Sequence, residues 1–233
     1  MKTGAGVLAW LGLRRPGEAL PGRVVVVSPH LDDGVLSLGG AIASATRRGA
    51  RVTILTVLAG DPESSQPAGE WDSRAGFTTE GEAVRARREE DRRACARVGA
   101  ETEWLQFPDE QYGLLDDDRV SASVRERVGN AAVLLPGFPL AHPDHARLNA
   151  LLLGRGLGGA RVGLYAEQPY ALWADRSPPA GWHAPPAGLR DRLAKRRACR
   201  EYVTQLPLLG ERVLAGIARY EARHGGEAVS WLT

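Results

Sequence analysis

The sequence predicts an α/β protein of the Rossmann-like, three-layer α/β/α type, built on a mainly parallel sheet. The first observation is the run of valines at 24–27, because consecutive β-branched residues are typical of a buried strand. The second is the order that follows, a helix over 35–48 and a strand over 51–58 with short connections. Such a β-α-β order implies parallel strands joined by a right-handed crossover. The third is that strands and helices continue to alternate further along the chain.

The first strand is predicted over 23–27, and Gly39-Gly40 in the helix after it lower helix propensity unless that helix packs closely on the sheet. A polar segment over 59–79 separates the second strand from the rest of the alternating pattern. The later strands are predicted over 102–107, 131–135 and 161–166, and the later helices over 80–98, 119–128 and 144–153. The C-terminal part is predicted as an irregular segment over 171–188, helices over 189–203 and 208–224 interrupted at Pro207, and an edge strand over 227–232.

Length and composition indicate one globular domain over residues 1–233, with an N-terminal arm over 1–22 and a C-terminal part of irregular chain and helices over 171–233. The net charge of +2 gives no overall field that would favour nucleic acid or an anionic membrane. No apolar stretch has the roughly 20 residues that span a bilayer, and the short apolar run at 6–13 lacks a cleavage site. Two cysteines, Cys95 and Cys199, favour a reducing compartment. We therefore expect a cytoplasmic protein without nucleic-acid or membrane partners.

Polar side chains follow the predicted strands at the point where each strand ends. In an open parallel sheet these carboxyl ends share one edge, and ligands bind there. The residues concerned are His30, Asp32 and Asp33 after the first strand, Asp109 and Tyr112 after the third, His142 and His145 after the fourth, and Glu167 after the fifth. The sequence therefore predicts a functional site at this edge.

The turn after the first strand has the residues of a metal hydrolase. His30 and Asp33 are close enough in sequence to bind one ion, and Asp32 between them is free to accept a proton from water. His142-Pro143-Asp144-His145 offers a third ligand from one histidine and a group that faces substrate from the other. Three protein ligands with an open position are typical of catalytic zinc. The alternative is that His142 is a loop residue and Asp144 only caps a helix.

Pro29-His30-Leu31-Asp32-Asp33 together with His142-Pro143-Asp144-His145 resembles the LmbE-like, or PIG-L, family of metal-dependent de-N-acetylases. The family motif usually reads His-Pro-Asp-Asp-Glu, so Leu31 and Gly34 depart from it. The resemblance covers most of residues 23–170. Four further stretches resemble the branch of the family found in natural-product pathways, namely Trp71-Asp72, Gly76-Phe77, Arg87 to Asp91 and Gln111-Tyr112. The resemblance implies the LmbE-like fold.

The resemblance also implies a reaction and the residues that perform it. Members remove an N-acyl group from an amino sugar, so the expected partner is a small N-acylated amino sugar or glycoside. The implied ligands of Zn²⁺ are His30, Asp33 and His145, although Fe²⁺ or another divalent metal suits the same set. Asp32 is the implied general base, and His142 the general acid or the cation that stabilises the oxyanion.

Other polar residues are predicted to support this site. Asp72, Arg88, Asp109 and Tyr112 are candidates to bind substrate. Asp144 and Glu167 are candidates to orient the ligands. Trp173 and Trp182 either stack on a substrate ring or pack within their own segment.

Two other functions fit the predicted fold. A metal-dependent hydrolase of a non-sugar amide or ester would use the same residues. A non-catalytic Rossmann-like module would hold a sugar or a nucleotide. The turn at 30–33 argues against the module, because its carboxylates would repel phosphate unless a metal intervenes.

Overall fold

The structure is a computed structural model, and it describes residues 17–232. The predicted N-terminal arm therefore lies mostly outside the described residues. Within 17–232, none of the helices is long and apolar enough to cross a membrane. The assignment of the whole chain to a single domain stays a prediction.

A six-stranded sheet forms the centre of the protein, in the order β3-β2-β1-β4-β5-β6. Strands β1 to β5 are parallel, and β6 pairs antiparallel with β5 at the edge. This arrangement confirms the predicted α/β fold with a mainly parallel sheet. The strands are β1 (Arg23–Ser28), β2 (Arg51–Thr56), β3 (Glu101–Trp104), β4 (Ala132–Phe138), β5 (Val162–Ala166) and β6 (Val229–Trp231).

Helices cover both faces of the sheet, and the valines of β1 show why. Val24 and Val26 pack into one hydrophobic cluster, whereas Val25 and Val27 pack into the other. Successive side chains of a strand point to opposite faces, so a strand buried on both faces needs an unbroken apolar run. The helices are α1 (Asp33–Arg47), α2 (Glu70–Arg74), α3 (Glu80–Val98), α4 (Asp117–Val128), α5 (Pro143–Arg155), α6 (Tyr170–Trp173), α7 (Leu189–Cys199), α8 (Leu206–Leu209) and α9 (Val213–Arg223).

Some predicted boundaries were wrong. The polar segment over 59–79 contains α2, and the segment predicted as irregular from 171 begins within α6. The helix predicted over 208–224 is two helices, separated at Gly210, whose φ of +110° strongly favours glycine. Pro207 does not interrupt a helix, because it lies in the first turn of α8, where its missing N–H costs little.

Gly39 and Gly40 allow a close approach to α1, but the approaching groups do not belong to the sheet. A Cβ on Gly39 would lie 2.9 Å from Cγ of Lys195, and one on Gly40 would lie 3.2 Å from Oε1 of Glu227. The Glu227 carboxylate accepts hydrogen bonds from the backbone N–H of Gly40 at 2.8 Å and of Ala41 at 2.6 Å. It also accepts one from Nζ of Lys195 at 2.7 Å. The buried ion pair of Lys195 and Glu227 therefore joins α1 to α7 and to the segment that precedes β6.

We expect Glu227→Ala to lower the free energy of unfolding by about 2–4 kcal/mol, because it leaves the N–H groups of Gly40 and Ala41 without their acceptor, whereas Lys195 keeps Glu221 as a partner. The matched control is Glu101→Ala, which breaks the exposed pair with Arg51 and should cost less than about 1 kcal/mol. Urea unfolding of both variants measures the difference. Equal losses would show that the Glu227 pair contributes no more than a surface pair.

Candidate metal centre

The candidate site lies where the strand order of the sheet reverses direction. β1 is the common neighbour of β2 and β4, so the connections after β1 and β4 leave the sheet on opposite sides. Between them opens the crevice in which doubly wound proteins bind ligands. The turn after β1 carries His30, Asp32 and Asp33, and the start of α5 carries His142 and His145. The fold therefore brings together the two motifs that the sequence separates by more than a hundred residues.

Three donor atoms form a nearly equilateral triangle. Nδ1 of His30 lies 3.2 Å from Nε2 of His145, and Oδ2 of Asp33 lies 3.3 Å from the first nitrogen and 3.1 Å from the second. A tetrahedral ion with bonds near 2.1 Å holds its ligands about 3.4 Å apart. The triangle therefore fits a small divalent metal. His142 borders it, with one ring nitrogen within 4.8 Å of nitrogens of His30 and His145.

A carboxylate holds the other nitrogen of each histidine in the triangle. Oδ2 of Asp144 lies 3.0 Å from Nε2 of His30, and Oε2 of Glu167 lies 2.5 Å from Nδ1 of His145. Glu167 also accepts the N–H of Leu140 at 3.1 Å, which fixes the loop before α5. Such partners set the tautomer and the orientation of metal-binding histidines. Asp144 and Glu167 are therefore placed where they would orient the ligands, and their role stays a prediction.

Asp144 does not cap α5. The N-cap is His142, whose Nδ1 accepts the N–H of Asp144 at 3.2 Å. The side chain of Asp144 is thereby left to reach across to His30. The same hydrogen bond assigns the ring proton of a neutral His142 to Nε2.

The two adjacent carboxylates of the turn have opposite environments. Burial and the charge of Asp33 raise the pKa of Asp32 to about 7. Burial alone would also raise the pKa of Asp33, but the charges and hydrogen bonds of His145 and His30 hold that pKa well below its usual range. Within the described residues, no hydrogen bond engages the Asp32 carboxylate, which lines the cavity. Asp32 is therefore free to bind a water molecule, whereas Asp33 is committed to the histidines.

The environment of His142 bears on its predicted role. Burial, and then the positive charges of His30 and His145, lower the pKa of His142 to about 4. The neutral ring is favoured, and the role of His142 as general acid or oxyanion-stabilising cation stays a prediction. The side chain can still donate a hydrogen bond from Nε2.

A cavity of about 580 Å³ opens beside the triangle. Its wall is rich in carboxylates, and Arg74 and Arg87 are the only arginines that the described residues contribute to it. This local negative charge contrasts with the net charge of +2 for the chain, and it suits the binding of a cation. Beyond the histidine motifs, the acidic residues of the wall are Glu70, Asp72, Glu80, Asp109 and Glu110.

Asp72 and Tyr112, which were predicted to bind substrate, both line the cavity and bind each other. The Tyr112 hydroxyl donates to the Asp72 carboxylate and accepts the N–H of Gly69 at 2.9 Å. Arg87 forms an ion pair with the same carboxylate, which is only 1% exposed. Burial and the bond to Asp72 raise the pKa of Tyr112. This cluster fastens the segment 59–79 to the loop after β3, so its first role is to build the cavity wall.

Arg88 does not reach the cavity, and this prediction is corrected. Its guanidinium donates to the carbonyls of Ala59 at 3.2 Å and Gly60 at 2.6 Å, and it lies over the ring of Trp104. The cavity arginine is its neighbour Arg87, whose Nε and Nη2 have no hydrogen-bond partner in the described structure. Helical spacing could have found it, because Arg87 shares the buried face of α3 with Val84.

Two further aromatic residues complete the site. The ring of Tyr170, which was not predicted, lies 4.9 Å from that of His145 and 5.9 Å from that of His142. Trp173 lines the cavity, whereas Trp182 packs against Phe138 at 6.3 Å. Asp109 also lines the cavity, and its carboxylate accepts two hydrogen bonds from Gln111. Asp109 therefore remains a candidate for substrate binding.

Comparison with known proteins gives a consistent match. A family model described as PIG-L, GlcNAc-PI de-N-acetylase, matches residues 25–154. Among curated proteins, 2'-N-acetylparomamine deacetylase of Streptomyces fradiae is 34% identical over 169 residues, which are 64% of this chain. The match spans only 58% of the length of that relative.

Solved structures share the fold over nearly the whole chain. The A40926 pseudoaglycone deacetylase Dbv21 has a TM-score of 0.74 and 27% identity, covering 90% of this chain and 96% of that one. The zinc-inhibited form of the teicoplanin deacetylase Orf2 has a TM-score of 0.73 and 25% identity, covering 90% and 98%.

We expect Glu167→Ala to weaken metal binding by about 10- to 100-fold, because His145 loses the partner that orients it. The matched control is Asp109→Ala, a carboxylate of the same cavity that does not contact the triangle, which should leave affinity unchanged. His145→Ala, which removes a proposed ligand, should abolish binding at the site. Competition with a chromogenic chelator measures all three. Unchanged affinity in Glu167→Ala would contradict the orienting role.

Proposed function

Because the chain belongs to the PIG-L family, we propose that it is a metal-dependent hydrolase that removes an N-acetyl or other N-acyl group from an amino sugar or a glycosylated small metabolite. The observation that carries this proposal is the triangle of His30, Asp33 and His145 beside the unengaged carboxylate of Asp32. All four residues lie within the part of the chain that the family model matches. The similarity to the paromamine and pseudoaglycone deacetylases supports a glycosylated natural product as the substrate class.

His30, Asp33 and His145 would hold the metal, because their donor atoms have the spacing of three tetrahedral ligands. When bound, a divalent ion supplies Lewis-acid chemistry: it acidifies water and polarises the amide carbonyl. We propose Zn²⁺ for this position, with Fe²⁺ or another divalent ion as the alternative, since two histidines and one carboxylate suit several metals. Because a solved structure of the teicoplanin deacetylase is described as its zinc-inhibited form, the dependence of activity on metal is best measured by titration.

Asp32 is the proposed general base. Its carboxylate has a pKa raised to about 7 and can take a proton from the water that attacks the amide carbon. His142 would donate a hydrogen bond from Nε2 to the oxygen on which negative charge develops. The C–N bond then breaks, and the proton held by Asp32 passes to the leaving amine. The products are a carboxylate and a free amino group.

We also propose a cytoplasmic location. Cys95 and Cys199 are free and buried, which supports a reducing compartment.

A release assay with metal analysis tests the proposed function. Purified protein is loaded with graded Zn²⁺ or Fe²⁺ and incubated with N-acetylglucosamine glycosides, acetylated aminoglycoside precursors, and non-sugar amides and esters. Appearance of free amine only from the sugar compounds supports the proposal. Turnover of only the non-sugar compounds would support the alternative hydrolase. Binding of sugars or nucleotides without release under any metal loading would support a non-catalytic module.

We expect Asp32→Asn to lower kcat by roughly 10²- to 10⁴-fold, the usual contribution of a general base, while metal affinity is retained. The reason is that Asp32 lies outside the donor triangle. Amine release and metal content are measured on the same sample. A variant that loses metal would place Asp32 among the ligands, and one that keeps full activity would exclude it as the base.

A further inference from the structure

Trp173 presents an aromatic surface to the cavity that the protein leaves uncovered. Its side chain lines the cavity at the end of α6, and the residue is 53% exposed. It touches Tyr170 in an edge-to-face arrangement, with ring centroids 5.5 Å apart and planes at 87°. Such a contact engages only part of the indole surface. Trp173 is therefore held by a neighbour but not buried by one.

Three other tryptophans are covered by neighbouring side chains. Trp71 also lines the cavity, but the guanidinium of Arg74 lies over its ring at 5.4 Å. Trp104 is covered by Arg88, and its indole N–H donates to Asp91 at 2.8 Å. Trp182 packs against Phe138. Trp173 thus differs from these three tryptophans, because it lines the cavity and its ring is largely exposed.

The position of Trp173 relates it to a particular part of a substrate. Tyr170 contacts both Trp173 and the metal centre, with its ring 5.5 Å from that of Trp173 and 4.9 Å from that of His145. An amide held at the centre would place the sugar that carries it next to Tyr170. The group attached to that sugar would then reach Trp173, one aromatic ring further out.

Helix α8 adds apolar side chains to the same cavity. Leu208 and Leu209 line it, and Leu208 belongs to none of the hydrophobic clusters among the described residues. Flat aromatic and aliphatic surfaces bind rings by stacking and by burial of apolar area. Apart from the residues of the metal centre and its histidine motifs, the charged residues of the cavity wall lie on α2, α3 and the loop after β3.

We propose that Trp173 forms a subsite for a second ring linked to the acylated amino sugar. The ring offers a flat apolar face, which either an aromatic aglycone or a further sugar supplies. This inference rests on the proposed function, because it takes the metal centre as the position of the amide. The subsite would decide which glycosides the enzyme prefers, and it would leave the chemical step to the residues at the centre.

Three substrates test the subsite: methyl, phenyl and N-acetylglucosaminyl glycosides of N-acetylglucosamine. We expect the metal-loaded wild type to prefer one or both ring-bearing substrates over the methyl glycoside in kcat/KM. In Trp173→Ala that preference should fall about tenfold, and Trp173→Phe should restore part of it. If the lost preference is for the phenyl glycoside, the subsite binds an aromatic ring. If it is for the N-acetylglucosaminyl glycoside, the subsite binds a sugar ring. The control variant is Leu189→Ala, since Leu189 is 76% exposed and does not line the cavity.

Three results would overturn the subsite. One is an equal fall in kcat/KM for all three substrates, which indicates a structural role. Another is that Leu189→Ala reduces the preference for ring-bearing substrates as much as Trp173→Ala does. The third is a change from dimer to monomer in Trp173→Ala on size-exclusion chromatography, which assigns the surface to a second copy of the chain.

A binding measurement separates failure of the subsite from failure of the proposed function. Calorimetry with the deacylated methyl, phenyl and disaccharide amines needs no turnover. Tighter binding of a ring-bearing amine that Trp173→Ala weakens about tenfold supports the subsite even if no amine is released in the activity assay. Equal binding of all three amines by the wild type overturns it even if the enzyme is active.

Discussion

The structure depends on the meeting of Asp33 and His145 across the centre of the sheet. Asp33 begins α1 after β1, and His145 lies in the first turn of α5 after β4. Both side chains are almost fully buried, and Oδ2 of Asp33 lies 3.1 Å from Nε2 of His145. A carboxylate removed from water is stable only when it is paired, so the two strand ends must hold a fixed position relative to each other. His30 joins the pair and completes the donor triangle.

The turn after β1 is built to hold that position. The hydroxyl of Ser28 donates to the carbonyl of His30 at 2.6 Å and accepts the N–H of Gly34 at 2.9 Å. A Cβ on Gly34 would lie 3.2 Å from Cγ2 of Ile54 in β2. Gly34, which departs from the family motif, therefore lies where β2 closely approaches the turn, and a side chain at this position would crowd Ile54. Behind the turn, the hydroxyl of Ser37 in α1 accepts the N–H of Gln168, so α1 also reaches the loop that carries Glu167.

The chemistry of the centre and the recognition of substrate are assigned to different parts of the fold. The centre is made of strand ends and helix starts, which buried ion pairs and hydrogen bonds hold in place. The cavity around it is made of connecting segments, namely 59–79, the loop after β3, α6 and α8. Asp72, Arg87 and Tyr112 hold two of these segments together. Differences in such segments would change the substrate without disturbing the metal or the base.

The sequence by itself determined the strand order along the chain, the parallel sheet and the two motifs at its carboxyl edge. It could do so because the valine run of β1, the β-α-β order and the histidine-carboxylate spacings are local patterns with direct physical meaning. Only the tertiary structure decided which polar side chains serve the cavity. Asp72 and Tyr112 bind each other in the cavity wall, backbone carbonyls engage Arg88, and Arg87 and Tyr170 line the cavity although neither was predicted from the sequence. The pairing of polar groups depends on segments distant in sequence, and no local pattern records which of them will meet.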